Sequence, residues 1–269
     1  MAQFALLAER ANERIVGREA ELGLLRDALA AARAGHRTAV FLTGAAGMGK
    51  TTLLGQLRRE AADATILAWT AVPDERAMPF ATLSGLLSAL REDLAALATT
   101  HRASLEAALG LGPAQPGDPM RVGAATLALL SAAAERNPVL VAVDDGEWVD
   151  EPSLAALAFA ARRLEADRVV FVIASGEPLG IGLTGQRVVA VRLEALTGSE
   201  AAALVGQHAA APVAPEVLQR LIEAGAGNPL VLEDLVLSLD ADQLAGRAYL
   251  PDPLPSSTGL GASQAAAIA

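Results

Sequence analysis

Cysteine is absent from this 269-residue chain, and with it disulfides and thiolate metal sites. The three histidines, His36, His101 and His208, are scattered, so no zinc site is expected and each reads as an exposed or structural residue. Aromatic residues make up 3% of the chain, which leaves the core to Ala, Leu and Val. No apolar run is both long and charge-free enough to span a bilayer. The first residues, "MAQFALLAERANER", carry Glu9, Arg10, Glu13 and Arg14 where a secretory leader would have a basic start and an unbroken apolar stretch. A cytoplasmic location without a membrane partner is the expectation. A net charge of −10 and a pI near 4.8 argue against direct nucleic acid binding by this chain. Lysine is nearly absent too: every basic residue is arginine except Lys50.

What is present alternates between two periods. Residues 18–35 have apolar positions at helical spacing and end at a glycine. "TAVFLT" (38–43) is a short apolar run of the kind that forms a buried parallel strand, and a helix begins within "GKTTLLGQLRREAA". Further strands are expected at 65–72, 139–145, 168–175 and 188–193, and helices at 78–112, within 120–136, and at 153–166. This alternation predicts an α/β fold with a parallel sheet covered on both faces by helices. After Leu196 the strand signal stops, and three short helices follow, with Ser199 and Asn228 as expected N-caps. The expected organisation is an α/β core over 1–195, a helical lid over 196–240, and a Pro/Gly/Ala-rich linker or tail over 241–269.

Lys50 sits in Gly44-Ala45-Ala46-Gly47-Met48-Gly49-Lys50-Thr51, which fits G-x-x-x-x-G-K-[ST], the phosphate loop of P-loop NTPases, without a mismatch. The glycines let the backbone turn tightly, so that N–H groups point at phosphate oxygens, and the helix that follows presents its positive end to the same anion. Lys50 reaches the β- and γ-phosphates, Thr51 offers a hydroxyl to Mg²⁺, and Thr52 lies beside them. A slim ammonium suits this slot better than a broad guanidinium fork, which accounts for the single lysine of an otherwise arginine-only chain. Asp144 and Asp145 end the apolar run "VLVAV", and in an open parallel sheet the strand C-termini line the ligand crevice. There Asp144 would hold Mg²⁺ through water, and Asp145 would orient or deprotonate a water that attacks the γ-phosphate. Trp148 reads as a packing residue and Asp150 as a helix start.

Taken together, these residues resemble a known family. "IVGREAEL" (15–22), "GAAGMGKTTLL", "MPFATLSGLL", "RASLEAALGLG", "VDDGEWVDEPSLAALAFAARRL" and "GNPLVLEDL" (227–235) follow one another as in the ATPase module of the large ATP-binding LuxR-type transcriptional regulators, within the STAND branch of AAA+-like NTPases. The resemblance implies that Val16, Gly17 and Arg18 lie near the adenine and that Pro229, in the lid, touches the base or ribose from the other side. It also implies a slow switch, closed with ADP and self-associating with ATP, joined in complete family members to a helical-repeat sensor and a helix-turn-helix.

Three departures bear on activity. Ala45 stands where the family commonly has glutamate. The strand ending Ala174-Ser175-Gly176 lacks the family's arginine, suited to sensing the γ-phosphate. The sequence stops at Ala269 without repeats or a DNA-reading helix pair, as a fragment, a truncated product or a standalone module would. The reading is a Mg²⁺-dependent, ATP/ADP-binding, slowly hydrolysing switch; the alternatives are a nucleotide-binding signalling or self-association module without significant hydrolysis and, third, a small-molecule kinase.

Overall fold

The structure is a computed structural model and describes residues 15–113, 118–164, 167–180 and 188–255. The elements alternate as expected from the sequence. They are α1 (Glu19–Arg33), β1 (Thr38–Thr43), α2 (Lys50–Glu60), β2 (Thr65–Thr70), α3 (Ala81–Leu86), α4 (Thr99–Ala108), α5 (Pro119–Arg136), β3 (Val139–Asp144), α6 (Glu151–Arg163), β4 (Val169–Ser175) and β5 (Val188–Arg192). Four further helices follow: α7 (Gly198–His208), α8 (Pro215–Gly225), α9 (Pro229–Leu237) and α10 (Ala241–Leu244).

The five strands form one parallel sheet in the order β2-β3-β4-β1-β5. Every residue of β3 and β4 is buried, as unbroken Val/Ile/Leu/Ala runs require when helices cover both faces. The helices turn their apolar stripes to the sheet: α5 buries Val122, Ala125, Leu129, Leu130 and Ala133 at i, i+3, i+4 spacing. Asp118 caps its start and Pro119 occupies its first turn, where the missing N–H leaves no bond unmade.

The chain divides into two compact units. The first comprises Ala20–Gly44 and Lys50–Arg192 and holds the sheet, with a core running from Ala39 and Leu67 through Leu129 and Val141 to Phe171. The second joins the described residues up to Glu19 and the loop Ala45–Gly49 to Leu193 and the helices beyond it, around Leu196, Leu221, Leu232 and Leu235.

Two local expectations differ from the structure. The helix expected over 78–112 is broken into α3, 3-10 turns at Leu87–Leu90 and Glu92–Ala96, and α4, with Leu97 extended between them. Leucine spacing reveals the buried face, but α and 3-10 winding both place i and i+3 on one side and so share that signal. The cap of α7 is Thr197, not Ser199: Thr197 is extended and exchanges bonds with Glu200 in a capping box, whereas Ser199 already lies inside the helix. Part of the expected linker also packs: Leu244 is buried in the helical unit, and Leu250 and Leu254 rest against it. The remainder, 256–269, lies outside the described residues, as do the first fourteen.

Candidate functional site

β1 delivers the chain into the glycine-rich loop at Gly44, and α2 opens directly at Lys50. An α-helix leaves its first four N–H groups without intrahelical partners and carries partial positive charge there. No acidic residue occupies the first turn of α2, so nothing in that turn neutralises its positive end. Lys50 is 9% exposed, and its Nζ donates to the carbonyl of Gly44 at 2.7 Å, which turns the ammonium toward the residue that follows β1.

Thr51 donates its hydroxyl to Oδ2 of Asp144 at 2.6 Å, joining the start of α2 to the end of β3. Asp144 is buried, and burial pushes its carboxyl above the usual carboxylate range; the Thr51 hydroxyl, the Asp145 N–H and the Lys50 charge pull the other way. Asp145 follows in left-handed backbone (φ 52°). Its carboxyl is pushed up first by burial and then by the charges of Asp144 and Glu147. Lys50, Thr51, Asp144 and Asp145 are thus gathered at one end of the sheet within the first unit, and Thr52 is exposed in the next position of α2.

The end of β4 lies beside β1 in register, Ser175 opposite Thr43. Its polar groups are engaged locally. Ser175 Oγ donates to the Glu177 carbonyl at 2.6 Å, and the Gly176 N–H faces both carboxylate oxygens of Glu147 at 3.3 Å. Position 175 therefore presents a short hydroxyl and no cation. Glu147 was not expected at the site; it is one more acid in a turn already rich in them, and the sequence gives no sign that its carboxylate turns toward β4. Trp148 packs against the core with Arg76 5.7 Å above its ring, and Asp150 caps α6 while accepting the N–H groups of Phe80 and Thr82.

The other expected binding residues fall in the second unit. Ala45, Ala46, Gly47 and Met48 lead to Gly49, with left-handed backbone at Gly47 (φ 81°) and Gly49 (φ 94°). Gly17 is also left-handed and close to Glu200 and Leu196, with Val16 half-buried before it. Arg18 is buried, and its guanidinium donates to the carbonyls of Glu194 at 2.7 Å and Met48 at 3.3 Å. Pro229 opens α9 behind the cap Asn228.

Among the described residues, no group of three or more His, Asp or Glu stands at metal-binding spacing. A cation held by Thr51 and Asp144 would therefore draw most of its ligands from phosphate and water, which is the habit of Mg²⁺. The hard oxygen donors present fit that ion. No described helix is long and apolar enough to cross a membrane.

The profile of the AAA ATPase domain matches residues 14–173. No match was found among curated proteins. Among solved structures, a signal transduction ATPase with numerous domains (STAND) from Pyrococcus horikoshii, with a tetratricopeptide repeat sensor, superposes with a TM-score of 0.55 at 20% identity over 86% of this chain. The chain spans 31% of that protein's length. The Walker-type ATPase of Pyrococcus abyssi gives a TM-score of 0.56 at 14% identity over 87% of this chain and 69% of its own. The Drosophila ORC bound to DNA gives 0.52 at 18% identity, over 83% and 52%. At such identities the likeness speaks for the fold.

Proposed function

Since this chain belongs to the AAA ATPase domain family, we propose that it binds ATP and ADP with Mg²⁺ at the Gly44–Thr51 loop and acts as a slowly hydrolysing regulatory switch. The observation that carries this reading is the bond between Thr51 and Asp144 at the N-terminal end of α2, whose first turn holds no acidic residue, beside Lys50. In this reading Lys50 leaves the Gly44 carbonyl to meet the β- and γ-phosphates. Thr51 and Asp144 would hold the metal, which would supply charge neutralisation on the phosphoryl oxygens. Asp145, its carboxyl raised above the usual carboxylate range by burial, takes a proton from the attacking water. Val16, Gly17, Arg18 and Pro229 are assigned to the base side.

The finer assignment follows the motif series from "IVGREAEL" to "GNPL": the ATPase module of a LuxR-type transcriptional regulator, self-associating in its ATP state, with no direct nucleic acid contact by this chain and a cytoplasmic location. A second reading, a nucleotide-held switch with negligible turnover, is favoured by the end of β4, where Ser175 and Gly176 offer no positive charge to a transferring phosphoryl group. Loss of such a donor typically lowers turnover by orders of magnitude while sparing binding.

One experiment tests the binding site and separates the two readings. The purified chain is incubated with ADP-free Mg-ATP, separated from free nucleotide and denatured, and the retained nucleotide is identified by chromatography, with Lys50→Ala as control. Retained ADP, absent from the variant, supports the slow ATPase, and retained ATP supports the non-hydrolysing switch. Equal retention by parent and Lys50→Ala would remove this loop from nucleotide binding.

A further inference from the structure

Three consecutive carbonyls of the phosphate loop are bonded by side chains or backbone of the same compact unit. Ala46 O accepts from Asn228 Nδ2 at 2.9 Å, Gly47 O from the Leu230 N–H at 3.3 Å, and Met48 O from the Arg18 guanidinium at 3.3 Å. In a planar trans peptide the carbonyl and the next N–H point in opposite directions. Fixing these carbonyls therefore turns the N–H groups of Gly47, Met48 and Gly49 the other way, although Met48 also makes a long turn contact of 3.4 Å to Ala45 O. Those amides are the groups that an anion would meet.

Asn228 is the centre of this arrangement. It is 2% exposed, and its Oδ1 accepts from Leu230 N at 3.1 Å and Val231 N at 3.3 Å, capping α9. That leaves Nδ2 free to serve a different purpose, and it reaches 182 residues back to Ala46. The fit is tight: a Cβ on Gly47 would lie 2.6 Å from Asn228 Oδ1 and 2.9 Å from Leu230 Cβ. Gly47 occupies one of the unconstrained positions of G-x-x-x-x-G-K-[ST], so the motif does not require glycine there. Contact with Asn228 and Leu230, together with the left-handed backbone, does require it.

We propose that Asn228 is a positioning residue for phosphate binding: besides capping α9, it holds the loop by the Ala46 carbonyl so that the loop amides face the phosphates. This rests on the phosphate-loop reading above. It makes the lid residue act through the loop and not on the base, which is the part assigned to Pro229.

The test uses Asn228→Ser, which keeps a cap as good as asparagine but is too short to reach Ala46. Asn228→Asp is the second variant; it keeps the cap and the size and removes the donor. Two quantities are read on the whole chain: ADP affinity by calorimetry, and amide NMR shifts of the nucleotide-free protein. Loss of one neutral hydrogen bond predicts ADP affinity weaker by roughly 3- to 10-fold in Asn228→Ser. The amide signals of Gly47 and Gly49 should move in the nucleotide-free state of both variants. Shifts confined to Leu230, Val231 and their helix would overturn the proposal, because a residue acting only as a cap gives that pattern. So would loop shifts with unchanged ADP affinity. A parent that binds no ADP would sink the nucleotide reading itself, and the positioning role with it.

Discussion

Asp144 should make the nucleotide-free protein less stable than it need be, and Asp144→Asn exposes this. The carboxyl is 6% exposed, and burial raises it above the ordinary carboxylate range despite the Thr51 hydroxyl. A group whose folded pKa lies above its unfolded value, about 3.9 for Asp, stabilises the fold below that unfolded value. It loses that contribution as pH rises through the folded pKa. At pH 7 the ionised carboxylate is thus a net burden on the fold. Asparagine keeps the shape: Oδ1 can still accept the Asp145 N–H, now at 3.1 Å, and Nδ2 can donate to the Thr51 hydroxyl. Exchanging a charge-assisted bond for a neutral one loses about 1 kcal/mol. Removing the buried charge relieves a desolvation penalty of several kcal/mol before compensation. The difference, about 1–2 kcal/mol, should raise Tm by roughly 2–8 °C in a domain of this size. The opposite holds with ligand. Mg-ATP at a hundred times its Kd stabilises the parent by about 2.7 kcal/mol, and the variant, deprived of an anionic oxygen ligand, should gain much less. Thermal melts at pH 7 in EDTA and in Mg-ATP read both effects, and the gap between the two EDTA melts should close as pH falls toward 4. A lower Tm for Asp144→Asn in EDTA, or an undiminished Mg-ATP increment, would refute the reasoning.

Asp145→Asn should leave ADP affinity within about threefold and lower turnover by at least about a hundredfold, the usual contribution of a general base. Because burial and the neighbouring Asp144 and Glu147 charges raise its carboxyl, parent turnover should climb with pH through an inflection above the ordinary value of about 3.9; a steady-state phosphate-release assay that finds an unchanged rate in the variant removes Asp145 from the chemistry. Asp150→Ala should destabilise the fold by about 3–5 kcal/mol, since three buried N–H groups, of Phe80, Thr82 and Ser153, lose their acceptor. Urea denaturation measures it, and a loss under 1 kcal/mol would show that those N–H groups find other partners.

The two central strands were legible because burial on both faces leaves them almost wholly apolar, whereas β2 and β5 are only partly buried. "VLVAV" and "RVVFVIAS" could be little else, but the register that sets Thr43 beside Ser175 pairs segments far apart in sequence and is not written in either of them. The winding of 78–112 was not legible, since Leu83, Leu86, Leu87, Leu90 and Leu94 keep helical spacing while the backbone tightens and then breaks at Leu97. Within the site, the loop, Lys50 and Asp144 were readable because their spacing is local or their strand is distinctive. The partners of Asn228 and Glu147 were not. Each depends on a contact between segments distant in sequence, and nothing adjacent to Asn228 marks its amide as anything other than a helix cap.

Charge is what would tie the site to a metal. In the first unit Lys50 is the one ammonium, set against Asp144, Asp145 and Glu147 at the ends of β3 and in the turn that follows. A nucleoside triphosphate would bring further negative charge to carboxylates that burial and mutual repulsion already strain toward protonation. Neither Lys50 nor the dipole of α2, equivalent to about half a unit charge, balances that sum, and β4 contributes no cation at Ser175. A divalent ion held by Asp144 would relieve both problems together: it would neutralise the ligand, and it would add to the single positive charge of Lys50 that acts on the buried carboxylate. The same reasoning separates binding from turnover. In the proposed switch Mg²⁺ would compensate the ground state, while the charge that develops during phosphoryl transfer would still need a donor where Ser175 has none, so these charges would favour tight binding with slow turnover.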